Sequence, residues 1–254
     1  MSKKKIIIPL PSYGFDTSEV AIPWKILTEN GFDIDFTTPN GQPARTDTLM
    51  LKGERLGIWK SVLMARKDAV NAYLRMEESE AFRKPIRYSE IKESDYDGLF
   101  LPGGHDKGVK EYLESAVLQN LVAAFFKSNK PVSAICHGVV LAARSIDSST
   151  GKSVLYDYKT TSLLKTQELT GYQMTRLWLK DYYLTYPNLT VEDEVKSVLR
   201  TEENFKKGPF PISRDDMDHL DRGFVVKDRN YSSARWPGDV YSLSLVFMEV
   251  LSDY

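Results

Sequence analysis

Ile6-Ile7-Ile8-Pro9 is a continuous apolar run, and such a run without polar alternation marks a strand covered on both faces. A turn follows at Pro11-Ser12-Tyr13-Gly14. Val20, Ile22, Trp24 and Leu27 then trace the apolar side of a helix that stops near Asn30-Gly31. Phe32 to Thr37 alternates as a second strand, and Pro39-Asn40-Gly41 breaks it. Strand, helix, strand in this order predicts a parallel sheet with right-handed crossovers. That constrains the fold more than any other feature of the chain.

The later segments extend the pattern. Tyr96 to Leu101 reads as a strand that ends at Pro102-Gly103-Gly104, and Leu113 to Lys127 as an amphipathic helix. Lys130 to Ile135 is the next strand, and Val139 to Arg144 opens a further helix. Gly223 to Lys227 reads as another strand, Tyr231 to Asp239 as a loop, and Val240 to Leu251 as the closing helix. Two regions break the alternation. Residues 45–95 read as an insertion or cap, with one or two helices between Leu56 and Met76 and a charged stretch from Glu77 to Glu93. Asp147 to Pro211 reads as mostly helical, with a helical extension at about 160–215. The expectation is one α/β domain over residues 1–254, a doubly wound, mostly parallel sheet sandwiched by helices in the flavodoxin-like manner.

Composition excludes several classes. A net charge of -1 offers no general affinity for nucleic acid or an anionic membrane. No apolar run approaches the roughly 20 residues that cross a bilayer. Lys3-Lys4-Lys5 and the isoleucines after them are too short for a leader peptide and read as a solvated start to the first strand. One cysteine rules out an internal disulfide framework and fits a reducing compartment, so the chain is expected in the cytoplasm. There the sequons at Asn188 and Asn230 are chance matches.

The chemistry gathers around Cys136. It lies where a strand turns into a helix, with Ala134 two residues before it and Gly138 two residues after. Small residues at those spacings permit the sharp turn of a nucleophile elbow. A helix N-terminus there favours the thiolate, so a lowered thiol pKa is expected. The ordinary alternative for a lone cysteine is an inert buried residue, and the elbow spacing argues against it. Ligands of doubly wound sheets bind beyond the carboxyl ends of strands. Three such ends can meet: the turn leading to Glu19, the turn Gly103-Gly104-His105, and Cys136-His137. Glu19 is a candidate acid/base, or else only compensates the helix dipole. His137 is a candidate base, or supplies its amide to an oxyanion. Gly103 and Gly104 are a candidate binding turn and His105 a candidate lining residue; a plain tight turn is the simpler account of them. His219, within Arg214 to Asp221, matches no zinc or calcium spacing, so a solvated acidic turn is expected and no metal. The run Trp178, Tyr182, Tyr186 fits core or subunit contact better than a ligand cage.

Three motifs together resemble the ThiJ/PfpI superfamily, also called class I glutamine-amidotransferase-like. They are Glu19 with Val20-Ala21-Ile22-Pro23, Asp97 to His105, and Ala134-Ile135-Cys136-His137-Gly138. The resemblance covers residues 4–145 closely and the remainder weakly. It implies that Cys136 is the reactive residue, that Glu19 contacts its sulfur, and that the amides of Gly104 and His137 form an oxyanion hole. It implies no cofactor and a small-molecule substrate; dimers are common in the family, so a homodimer is an expectation. The insertion and helical tail are similar to the larger branch, with its chaperone-like proteins and glutathione-independent glyoxalases. That branch orients a histidine with an aspartate in the segment matching Tyr158 to Glu168, and this chain has none there. Glu168 and Asp239 are the candidate substitutes. The resemblance leaves three readings: a glyoxalase or deglycase-type enzyme acting on small aldehydes through Cys136 and Glu19, a peptidase or amidase using Cys136 and His137, and a redox-sensing or chaperone-like protein with an oxidisable Cys136.

Overall fold

The computed structural model describes residues 3–254. Its central sheet uses β1 (Lys5–Pro9), β2 (Asp33–Thr38), β3 (Ile86–Arg87), β4 (Gly98–Leu101), β5 (Val132–Ile135), β6 (Val225–Asp228) and β7 (Tyr231–Ala234). The spatial order is β6-β7-β5-β4-β1-β2-β3, parallel throughout except for the antiparallel pair β6 and β7. Seven longer helices accompany it: α1 (Thr17–Glu29), α2 (Lys67–Glu78), α3 (Ala116–Lys127), α4 (Gly138–Arg144), α5 (Lys165–Leu179), α6 (Val191–Val198) and α7 (Val240–Asp253). Helix α1 packs on α2 and α7, while α3 and α6 pack on α4. The sheet between these layers is fully buried at Ile6, Ile7, Ile8, Leu99, Phe100 and Val132. The doubly wound α/β architecture is therefore as the apolar runs require.

Three segments differ from the sequence expectation. The stretch from Tyr231 was expected as a loop, but Tyr231–Ala234 is an inner strand with every residue buried. Its serines are hidden without penalty. Ser232 Oγ is bonded to Ser133 Oγ at 3.0 Å, and Ser233 Oγ accepts the Thr161 amide at 3.0 Å. Satisfied hydroxyls can sit in a core, so a polar-looking stretch made a strand. Residues 45–95 are not wholly a cap either. Ile86–Arg87 closes the edge of the main sheet, and α2 lies on α1. Third, the region Asp147 to Pro211 holds only α5 and α6 as longer helices. The rest is a short strand at Lys152–Ser153, a 3-10 turn at Glu202–Asn204 and irregular chain, and Phe210 and Pro211 at its end border a cavity together with Ile212 and Arg214.

Candidate active site

The site is assembled at the carboxyl ends of β1, β4 and β5. After β1, Asp16 caps α1: its Oδ1 accepts the amides of Ser18 at 2.8 Å and Glu19 at 3.0 Å. This cap holds the first turn so that the Glu19 side chain enters the protein, where it is fully buried. Glu19 Oε2 accepts the Gly103 amide at 2.8 Å, which joins the turn after β4 to α1. A Cβ on Gly103 would lie 2.7 Å from the His137 nitrogen, 2.8 Å from Glu19 Oε2 and 3.0 Å from Cys136 Cβ. Only glycine lets these three elements meet.

The elbow itself forms as its spacing requires. Cys136 has φ 56°, a left-handed conformation costly for a side chain, and its amide donates to Ala234 O at 3.1 Å. A Cβ on Gly138 would lie 2.1 Å from Leu101 O and 2.6 Å from Pro102 O. The helix can start here only because residue 138 has no side chain. Cys136 Sγ is 3.4 Å from His137 Nδ1, and the Glu19 carboxyl meets the elbow at Gly103, close enough for its charge to act on the thiol. Glu19 Oε1 has no hydrogen-bond partner among the described residues.

Electrostatics overturn one sequence expectation. The thiol pKa is not lowered: burial, then the charges of Glu19 and Asp16, push Cys136 up, and the His137 amide offsets this only in part. Burial and the charge of Asp16 likewise raise Glu19 well above the ordinary carboxylate range. The helix start was a real influence, but α4 is short and desolvation of a thiolate with only 1% exposure outweighs it. Two buried acids in contact, both raised, hold their protons to higher pH than either would alone.

His137 is buried and kept neutral, since burial and then His105 and Arg144 push its pKa well below the usual value. Its Nε2 has no partner among the described residues. Neither candidate acid stands behind it. Asp239 is engaged by Arg235 at 2.8 Å, and Glu168 accepts the Val191 amide at 2.9 Å, at the start of α6. The expectation that one of them completes a Cys-His-acid triad is corrected on that geometry. Glu168 instead carries a stability signature, because burial raises it to about 7. A raised carboxyl stabilises the fold fully below its unfolded pKa and loses that contribution as pH rises through the folded value. Glu168→Gln is thus expected to leave stability nearly unchanged at acid pH and to raise it by about 3 kcal/mol above neutrality. Melting curves on the two sides of neutrality check this; an equal shift in both would refute it.

Gly104 lies beside this cluster, and a Cβ there would come within 2.5 Å of Gly14 O. Among the described residues the Gly104 amide donates to no backbone carbonyl or side chain, while the His137 amide is turned to the Cys136 sulfur. The Gly104 amide remains free for a substrate oxygen. His105 stands edge-on to His137, ring centres 5.0 Å apart, and equally close to Tyr183. Burial lowers its pKa to about 4, so this imidazole is neutral as well. His105 also borders a cavity of about 240 Å³ with Asp16, Tyr183 and Arg214. Cys136 itself is not on the cavity wall; Asp16 and His105 form the boundary in front of it.

The sequence reading gave no site role to Asp16, Tyr183 or Arg214. Nothing local distinguished them, because they come from three distant segments. The presumed solvated acidic turn is only partly that: Asp215 is buried and accepts the Ser242 amide at 2.7 Å, whereas His219 is exposed and pairs with Asp216 at 2.8 Å. No group of three metal-ligating side chains occurs among the described residues. The tyrosine-rich run serves packing and hydrogen bonding, with Tyr186 bonded to Arg144 at 2.9 Å, apart from Tyr183 on the cavity wall. Among the described residues no helix is long and apolar enough to cross a membrane.

Comparison with known proteins sets this geometry in context. A family model described as ThiJ/PfpI family-like matches residues 10–209. A protein of Schizosaccharomyces pombe named glutathione-independent glyoxalase hsp3102 is 28% identical over 158 residues, 61% of this chain and 62% of that protein. Staphylococcus aureus protein/nucleic acid deglycase HchA is 25% identical over 222 residues, 82% of this chain and 71% of that protein. The chain spans 45% to 62% of the length of three Schizosaccharomyces pombe relatives. Among solved structures, glyoxalase III from Candida albicans superposes with a TM-score of 0.69 at 17% identity, covering 97% of both chains, which is a likeness of fold.

Proposed function

The chain belongs to the ThiJ/PfpI-like family, and from that premise we propose that it converts small 2-oxo aldehydes into 2-hydroxy acids without glutathione. One arrangement carries the reading: a buried carboxyl beside a buried thiol, with the unpaired amide of Gly104 next to them. The Cys136 sulfur adds to the aldehyde carbon and forms a hemithioacetal, and the aldehyde oxygen takes a proton. Glu19 then removes the hydrogen on that carbon as a proton and returns it to the neighbouring carbon. The former ketone becomes an alcohol and the former aldehyde carbon a thioester. Water cleaves the thioester, giving the 2-hydroxy acid and the free thiol. A carboxyl raised by burial suits the proton transfer, since it is a stronger base than an ordinary carboxylate. The amide of Gly104 holds the oxygen that gains charge. The names of the two relatives above, a glyoxalase and a deglycase, support the same class of chemistry.

The two other readings have less behind them. An amidase would need an oriented imidazole, and His137 Nε2 has no acid partner. An oxidation sensor would rest on the same buried Cys136, and the glyoxalase and deglycase names of the two relatives favour carbonyl chemistry there. The test is lactate formation from methylglyoxal with no added thiol, followed by proton NMR. Wild type should produce lactate and Cys136→Ala none above the uncatalysed rate. Equal rates for the two proteins would overturn the reading.

A further inference from the structure

The cavity beside the site is larger than a three-carbon aldehyde fills, and much of its wall is apolar. It has a volume of about 240 Å³. An apolar cavity of about 150 Å³ is enough to take benzene. Its walls include Leu163, Met174 and Trp236, with one cation, Arg214, and one anion, Asp16. Among the described residues Arg214 donates only through Nη2, to Val62 O at 3.0 Å and Leu63 O at 3.2 Å. Its Nε and Nη1 have no acceptor, and no carboxylate lies within ion-pair distance of it among the described residues. The guanidinium sits over Trp236, 5.7 Å from the ring centre, and burial lowers its pKa, the mark of a poorly hydrated cation. Asp16 uses Oδ1 to cap α1, and its Oδ2 makes no hydrogen bond among the described residues.

We propose, resting on the reading above, that the cavity binds a 2-hydroxy carboxylate with a bulky apolar group, and that the substrate is the matching 2-oxo aldehyde. Arg214 takes the carboxylate through its two free donors. Asp16 accepts the hydroxyl, and the apolar walls take the side group. The reaction supplies such a product with no outside oxidant or reductant. Water adds to R–CO–CHO and gives R–CH(OH)–COOH; the aldehyde carbon is oxidised as the ketone carbon is reduced. Arg214 and Asp16 therefore read the end of the molecule that the chemistry creates, and the cavity volume reads R.

Binding to the unreactive Cys136→Ser protein tests this apart from turnover. The probes are mandelate, its neutral amide mandelamide, and lactate, measured by calorimetry. A charge-assisted contact predicts mandelate tighter than mandelamide by roughly 10- to 100-fold. Mandelate should also bind tighter than lactate, and Arg214→Met should erase the preference for the acid over the amide. If Arg214 only neutralises Asp16, that substitution weakens acid and amide alike and the proposal falls. It falls too if Cys136→Ser binds mandelate no better than mandelamide or lactate. Should Arg214→Met fail to fold, Arg214→Lys and the three-probe comparison decide. Turnover of phenylglyoxal by wild type separates the two claims: no Cys136-dependent turnover overturns the chemistry and leaves the binding result standing.

Discussion

Glu19→Gln is expected to lower kcat on 2-oxo aldehydes by about 10²- to 10⁴-fold, the usual contribution of a positioned acid/base, while making Cys136 easier to alkylate. The two effects run in opposite directions for one reason. Glutamine keeps an oxygen for the Gly103 amide, which Glu19 Oε2 accepts at 2.8 Å, so the turn after β4 stays in place. It loses the carboxyl that moves the proton between carbons. It also loses the negative charge and hydrogen bond that, after burial, push the Cys136 thiol up. The thiol pKa therefore falls, and the rate of alkylation by iodoacetamide plotted against pH shifts to lower pH. Wild type is expected to show the complement: with Glu19 and Cys136 both raised, kcat/KM rises with pH. A purely structural Glu19 would cost turnover without moving the alkylation profile, and that result would remove it from the chemistry.

Arg235→Met is expected to cost about 3–5 kcal/mol of stability, the usual penalty for leaving one partner of a buried ion pair alone. Arg235 and Asp239 have side-chain exposures of 1% and 0% and are bonded through two parallel contacts of 2.8 Å. Asp239 also accepts the Phe224 amide at 3.0 Å, so it cannot leave the core. Burial already raises the Asp239 carboxyl despite Arg235, which lowers it. Without the arginine Asp239 is raised further and takes up a proton at mildly acid pH. The loss is then larger at alkaline pH than at acid pH, and a second substitution, Asp239→Asn, returns part of it. For a chain of this size the shift is roughly 2–4 °C in Tm per kcal/mol. There is a functional consequence as well. Arg235 Nη1 also donates to the carbonyls of Lys207 and Pro209, which lead into the cavity wall at Phe210 and Ile212. KM for a bulky substrate should rise more than kcat falls. A melting point within a degree or two of wild type at alkaline pH would contradict this account of the pair.

Some of this was legible in the chain and some was not. Ile6-Ile7-Ile8, Phe32 to Thr37 and Lys130 to Ile135 announced a parallel sheet because strands buried on both faces must be apolar. Tyr231–Ala234 stayed hidden, since its serines are tolerable in a core only through partners such as Ser133 and Thr161, 99 and 72 residues away and beyond any local pattern. The segment Ile86–Arg87 is too short and too charged nearby to announce an edge strand.

For the site, the sequence by itself determined the elbow, the glycines and the glutamate. Ala134, Gly138 and Gly103 are there because backbone and side chains approach to distances no Cβ could share, and such a demand leaves a local mark. Only the tertiary structure decided the rest. Whether Cys136 is a ready thiolate depends on how completely it is removed from water and on which charges are left beside it. Whether His137 has an acid behind it depends on where Glu168 and Asp239 are already engaged. Asp16 and Arg214 face one cavity although nearly the whole fold separates them in sequence, and desolvation and through-space charge are properties of that arrangement, not of any single segment.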